Sequence, residues 1–335
     1  MPAAIVSTGC YVPEIEVSND ALRARFDEAI PEFVDKMEKG SGIRTRWYAP
    51  DDWSTSDLAA RAARQAIERA HIRAEDVDLV LVGTDTPDYI TPATSVVVQD
   101  KIGAKNAGTF DIGCACASFP TGITTAAGIM ATNPWMKNVL VVGVYMMHKL
   151  ADPTDPMIFF YGDGAGAAVL QSSTEPGVMQ GAFLADGSYA GHWGIFSGGT
   201  AEPATEEAVR EGKTQVRMPI RYPPEINNEG WPKLMRELSE RNGFEFDEVD
   251  LAIFTQVRKP TILEVGAELG IPETKLYTVM EKWGYTGSAC IGMALHDAVE
   301  NKAIRPGHLV TLVGSGVGYN QAGVAVRFTD ALKTG

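Results

Sequence analysis

"EDVDLVLVGTDTPDY", residues 75–89, returns later in the chain in altered form as "DEVDLAIFTQVRKPT", residues 247–261. Each copy holds a short apolar run between polar ends, the pattern of a strand buried on both faces. The echo continues on either side. Each copy leads into a helical stretch ending in "KIGAKN" (101–106) or "ELGIPETK" (268–275), and "WMKNVLVVG" (135–143) is matched by "RPGHLVTLVGSG" (305–316). Paired positions stay about 170 residues apart, half of the 335-residue chain, whereas solenoid repeats recur every 20–50 residues or so. A period of that length implies a duplicated α/β unit, two similar halves related by a pseudo-twofold.

Around these copies "GTFDI" (108–112) and "AAVLQ" (167–171) read as further strands, and "TSDLAARAARQAIERAH" (55–71) and "ASFPTGITTAAGIMAT" (117–132) as helices. Thr55 or Ser56 is expected to cap the first helix, and Pro120 is tolerable in the first turn of the second. Alternating buried strands and amphipathic helices define an α/β layered fold. A length prior of about 150 residues per domain fits two units. We expect an N-terminal half, 1–172, and a C-terminal half, 173–335, with residues 184–216 as a loop-rich insertion that shapes a pocket.

Hydrophobic residues make up 45% and charged residues 21%, which excludes wholesale disorder. The 29 Lys and Arg against 43 Asp and Glu leave a net charge of −14, the wrong sign for neutralising nucleic-acid phosphates. An acidic carrier protein would need a local basic patch. "VREGKTQVRMPIR" (209–221) and "VRKP" (257–260) are candidates that also read as solvated faces, and Arg258 in the second is the expected substrate contact. The first residues lack a basic stretch followed by a long apolar one, and no segment offers 18 uninterrupted apolar residues. A soluble, cytoplasmic protein with no membrane partner is the expectation, its four cysteines free thiols.

"TFDIGCACASFPTGI" (109–123) puts two of those cysteines between a strand and a helix. A thiol at a helix N-terminus is lowered below its free value of about 8.5, so Cys116 fits a nucleophile, with burial as a small hydrophobe the alternative. Cys114, inside the turn, reads as packing. Zinc fails on spacing and on the want of further ligands, so no metal is expected. "YGDGAGAAVLQ" (161–171) is followed by a strand where a dinucleotide loop needs a helix, so no nicotinamide cofactor is expected either. "GSGVGYNQAG" (314–323) follows a predicted strand and brings a backbone N–H toward Cys116, as an oxyanion hole for acyl transfer requires.

These residues resemble the thiolase-fold condensing enzymes, and within them the ketoacyl-acyl carrier protein synthase III group, over essentially the whole chain. The likeness rests on "STGCYVPE" (7–14), "GIRTRW" (42–47), "TFDIGCACASF" (109–119), "DPTDPMIFFYGDGAGAAVL" (152–170), "ADGSY" (185–189) and "GSGVGYNQAGVAVRF" (314–328). It implies a five-layered α/β/α/β/α fold, a homodimer, and acyl-CoA or acyl carrier protein as donor substrate without a further cofactor. The family's nucleophile lies five residues beyond the Asp of its strand motif, here Asp111, which selects Cys116. The resemblance also implies an oxyanion hole from the backbone of Cys116 and Val317, and acyl-pocket positions at Met147, Phe160, Tyr161, Trp193 and Met218, each of which also suits the core.

Two departures bear on the chemistry. The family's catalytic His falls on Thr255 in "FTQVRKP", and its catalytic Asn on Tyr285 in "WGYTGSACI". In the family that pair stabilises the enolate formed when a malonyl thioester decarboxylates; Thr and Tyr hydroxyls donate hydrogen bonds but are poor bases. The family's adenine-clamping Trp and Arg are absent, with Lys36 and Pro156 near the corresponding positions, so a CoA thioester would bind without that clamp. Of the five histidines, His71, His296 and His308 read as structural or exposed, while His148 and His192 approach the implied acyl pocket and are candidate bases. The expected function is acyl loading of Cys116 and transfer to a small-molecule acceptor, by condensation or O- or N-acylation, in fatty acid, polyketide or secondary metabolism. The competing readings are a catalytically reduced subunit supporting an active partner, and a thioesterase.

Overall fold

The computed structural model describes residues 2–26, 28–175 and 177–333; the outermost ends of the two expected halves, at residues 1 and 334–335, lie outside the described residues. Among the described residues the strands run as β1 (Ala3–Tyr11), β2 (Ile15–Ser18), β3 (Thr45–Tyr48), β4 (Leu79–Gly83), β5 (Gly108–Ile112), β6 (Asn138–Tyr145), β7 (Gly164–Ser172), β8 (Val178–Ala185), β9 (Leu251–Phe254), β10 (Leu309–Gly316) and β11 (Asn320–Arg327). The helices are α1 (Asn19–Phe26), α2 (Phe33–Ser41), α3 (Thr55–Arg69), α4 (Thr94–Ile102), α5 (Ser118–Thr132), α6 (Glu206–Arg210), α7 (Ile226–Asn242), α8 (Lys259–Glu268), α9 (Met280–Trp283) and α10 (Cys290–Glu300).

Two sheets carry the architecture, ordered β1-β7-β6-β4-β5 and β8-β11-β10-β9. The orders superimpose position by position once β5 is set aside, and the echoed sequences supply β4 with β9 and β6 with β10. In both sheets the echoed strands pair with each other in parallel, and β7 and β11 next to them run antiparallel.

Helices fill three layers around the sheets. Helix α3 packs on the outer face of the first sheet, where Ala59, Ala62, Ala63 and Ala66 let it lie close to Val80, Val142 and Val169. Its cap is Ser54, whose N–H bonds Asp57 Oδ2 at 2.9 Å. The expected caps are engaged elsewhere: the Thr55 and Ser56 hydroxyls donate to Thr86 O and Asp88 Oδ2, each at 2.5 Å. Helices α5 and α10 lie between the sheets, and both faces of each must be apolar or small. Phe119, Ile123, Ile291 and Leu295 there meet Leu81 and Val141 from one sheet and Leu312 and Val324 from the other. Helices α7 and α8 cover the far face, with Trp231, Leu234 and Val265 against Phe254 and Val313. The result is the α/β/α/β/α thiolase-like fold. Between Ala185 and Ile226 the only α-helix is the short α6, so the loop-rich excursion runs past residue 216.

Candidate active site

Strand β4 pairs in parallel with β5 on one side and β6 on the other, so the carboxyl ends of three strands lie side by side. Ligands in open α/β sheets bind outside such ends. Beyond β5 a single 3₁₀ turn, Ala115–Ala117, holds Cys116 and runs directly into α5. Beyond β4 comes Asp85, and β6 ends on Tyr145. From the other half come Thr255, just after β9, the end of β10, and Tyr285, ahead of the 3₁₀ turn Gly287–Ala289 that leads into α10. Two glycines permit this meeting. A Cβ on Gly314 would stand 2.7 Å from the Cys116 carbonyl oxygen, and one on Gly316 would stand 2.9 Å from Ala115 Cβ.

The groups enclose a cavity of about 280 Å³. Of the residues singled out from sequence, Cys116, Thr255, Tyr285 and Val317 line it, as do Phe160, Tyr161, Trp193, Met218 and Arg258. Three do not. Met147 is wholly buried in the core cluster that contains Phe159 and Met280, so it fills interior space instead of touching an acyl chain. His148 stacks on Tyr48 with ring centroids 4.5 Å apart and pairs through Nδ1 with the buried Asp163, which also accepts the Ala49 N–H. That pair braces the chain around β3 and leaves His148 away from the cavity. His192 sits one ring further out, edge-on to Tyr189 and tilted against Tyr222, of which Tyr222 lines the cavity. Neither histidine is positioned as a base at Cys116. His296, read as structural or exposed, is buried, with its Nδ1 3.0 Å from Thr8 Oγ1, and burial lowers it to about 4.

The thiol also departs from expectation. Cys116 is buried, and that burial, followed by the negative charge of Asp85, pushes it well above the ordinary cysteine value. Desolvation therefore outweighs the helix N-terminus. The Tyr285 hydroxyl lies against Sγ and acts in the opposite sense, favouring the thiolate. Burial likewise raises the Tyr285 and Tyr145 phenols far above their usual range, so both are neutral hydrogen-bond donors. Thr255 Oγ1 accepts the Ser315 N–H at 3.0 Å and ties the end of β9 to the end of β10.

The residue missed in sequence is Asp85. It lines the cavity with Cys116; its Oδ1 accepts the Ser288 hydroxyl at 2.5 Å, while Oδ2 is buried with no hydrogen-bond partner. Burial raises its carboxyl to about 6, against the smaller opposing effect of Ser288. The available signal was an acid two residues beyond a buried strand at the carboxyl edge of a parallel sheet. Of the expected basic stretches, Lys213 pairs with Glu211 at 3.1 Å and Lys259 with Glu281 at 2.7 Å, while Arg258 is exposed and bonds the Gly40 carbonyl at 3.3 Å. Among the described residues no helix is long and apolar enough to cross a membrane.

This arrangement can form a thioester on a cysteine and hold its carbonyl among hydrogen-bond donors. Residues 110–187 match the family described as 3-oxoacyl-[acyl-carrier-protein (ACP)] synthase III, and residues 239–328 match its C-terminal counterpart. The chain is 33% identical over 330 residues, 97% of its length and 96% of the relative's, to the beta-ketoacyl-[acyl-carrier-protein] synthase III of Sulfurovum sp.. It is similar in structure to 3-oxoacyl-[acyl-carrier-protein] synthase III from Aquifex aeolicus, with a TM-score of 0.85 and 26% identity over 97% of this chain and 100% of that one. The priming beta-ketosynthase of the R1128 polyketide pathway gives a TM-score of 0.88 and 28% identity, covering 98% and 97% of the two chains. With its thiol on the turn entering α5 and its two matched sheets, the chain belongs to the ketoacyl-acyl carrier protein synthase III family of acyl-transferring, thiolase-fold enzymes.

Proposed function

We propose that this chain takes an acyl group from acyl-CoA or acyl carrier protein onto Cys116 and passes it to an acceptor without decarboxylating a malonyl unit. The observation that carries the reading is the cavity's own inventory: a nucleophilic thiol accompanied by Thr255 and Tyr285. Neither hydroxyl is a proton acceptor at neutral pH, and Tyr285 is already engaged with the Cys116 sulfur. The backbone N–H groups of Cys116 and Val317 would hold the carbonyl oxygen of the thioester, and Phe160, Tyr161, Trp193 and Met218 the acyl chain. Arg258, exposed and lining the cavity, is the contact for the donor's anionic carrier.

A second copy of the chain is the further partner in this reading. Strand β5 is an edge of the first sheet, and Phe110 on it, with Tyr89, Ile90 and Val96 nearby in sequence on the β4–α4 connection and on α4, is exposed. Such an edge with large apolar side chains is a liability unless covered.

The test is incubation with malonyl-CoA carrying labelled carbon in its free carboxyl, following labelled carbon dioxide. The reading predicts none above the level of the Cys116→Ala variant. Carbon dioxide released in step with coenzyme A would overturn it and return the chain to decarboxylative condensation.

A further inference from the structure

Among the described residues the cavity is lined by the Cys116 thiol and by no histidine, and the reaction still has a proton to move. When an acceptor attacks the thioester, its own proton must leave; when the carbon–sulfur bond breaks, the departing sulfur must be protonated. Asp85 carries the one carboxyl among the described residues that line the cavity. It reaches the site from the strand next to the one that delivers Cys116.

We propose that Asp85 is the acid–base group of acyl discharge and that the acceptor is a hydroxyl or amine rather than a carbon acid. The inference rests on the acyl-enzyme reading above. The acceptor's oxygen or nitrogen attacks the carbonyl carbon of S-acyl-Cys116, and its proton passes to the Asp85 carboxylate. The carbonyl electron pair moves onto oxygen as the tetrahedral adduct forms, then returns as the carbon–sulfur bond breaks. The thiolate takes the proton back from Asp85, giving free Cys116, ester or amide, and an aspartate carboxylate as at the start.

Three observations carry the assignment. First, Ser288 fixes one oxygen of the carboxyl at 2.5 Å while the other, Oδ2, is buried without a partner, so the group is oriented yet keeps one oxygen unengaged. Ser288 belongs to the 3₁₀ turn of the second half that corresponds to the turn of Cys116, so both halves build this contact. Second, the groups facing Asp85 are acids or neutral donors: Cys116, Tyr145 and Tyr161 around the cavity, Tyr285 beside the thiol, and Cys290 on α10. The cavity's one basic side chain among the described residues, Arg258, is exposed and bonded to the Gly40 carbonyl. No internal ion pair therefore consumes the carboxylate, and burial holds it near 6, where it is mostly ionised at neutral pH and still exchanges protons readily. Third, a carbon acceptor requires its enolate oxygen to be stabilised, and Tyr285 is committed to the Cys116 sulfur. A hydroxyl or amine needs only a base.

The test uses the full-length protein acylated with acetyl-CoA and freed of excess donor. Discharge of the adduct to water and to glycerol, as O–H probes, is followed by intact-mass spectrometry from pH 5 to pH 8. Wild type should discharge at a rate that climbs through about pH 6 and levels off. Asp85→Asn should acquire the adduct but discharge it about 100-fold more slowly and without that inflection, within the usual range for a lost general base. Hydroxylamine, which needs little base assistance, should release the acetyl group from both. Asp85→Glu should recover a pH-dependent discharge with a displaced inflection, and this variant decides the matter if Asp85→Asn fails to fold. Discharge of the Asn variant within twofold of wild type, an inflection unmoved in the Glu variant, or an Asn adduct that resists hydroxylamine would overturn the assignment of Asp85 alone. Absence of any adduct on wild type would overturn the acyl-enzyme reading together with it.

Discussion

The stability difference between wild type and Asp85→Asn should grow with pH in favour of the variant. Burial raises the Asp85 carboxyl from 3.8 to about 6. A folded-state value above the unfolded one means that the native state holds this proton more tightly. The group's contribution to stability is therefore fully present below 3.8 and is lost as pH rises through about 6. The shift is a little over two units, and each unit is about 1.4 kcal/mol, so ionised Asp85 costs the fold up to about 3 kcal/mol at pH 8. At pH 5 the same linkage gives about 1.5 kcal/mol. The Asn side chain keeps an acceptor for Ser288 and carries no charge. Any penalty for its buried amide N–H is independent of pH, so the diagnostic is the widening of the gap by about 1.5 kcal/mol from pH 5 to pH 8. Urea unfolding of both proteins at the two pH values measures it. A gap that stays constant, or that narrows as pH rises, would refute the electrostatics on which the assignment of Asp85 draws. A residue kept at such a cost is what a functional role leads one to expect.

Other substitutions test the surroundings of the thiol. Tyr285→Phe removes the hydroxyl that favours the Cys116 thiolate, so alkylation of Cys116 by iodoacetamide at pH 8 should slow about fivefold, the equivalent of one hydrogen bond near 1 kcal/mol; faster alkylation contradicts the contact. Gly316→Ala forces a methyl into the turn that carries Cys116, against Ala115, and should destabilise the protein by about 1–3 kcal/mol; an unchanged urea midpoint contradicts the close approach. Thr255→Val leaves the Ser315 N–H without its acceptor and should cost about 1–3 kcal/mol, read in the same urea experiment, where wild-type stability would contradict it.

Much of the architecture was legible because duplication leaves a trace in sequence: the echoed strands became β4 with β9 and β6 with β10 at matching sheet positions. Cys116 stood out because a strand, a tight turn and an apolar helix around a thiol are visible as local patterns. Asp85 did not. "GTDTPDY" looks like any polar connection after a strand, and only the parallel pairing of β4 with β5 brings its acid beside the thiol. Burial defeated two other expectations in the same way. No local pattern tells that Met147 turns into the core, or that His148 pairs with the buried Asp163 just ahead of the next strand instead of facing the cavity. The direction of the Cys116 shift was also out of reach, since it depends on how completely two halves of the chain close over the sulfur.

Every role assigned to the cavity depends on a covalent acyl group on Cys116. The most direct measurement is peptide-resolved mass spectrometry after brief incubation with acetyl-, malonyl- and longer acyl-CoA, wild type against Cys116→Ala. An acyl mass is expected on the peptide that contains Cys116, with the malonyl adduct retaining its carboxyl, and no adduct in the variant. An adduct confined to Cys114, Cys10 or Cys290, or one that persists in Cys116→Ala, would contradict it.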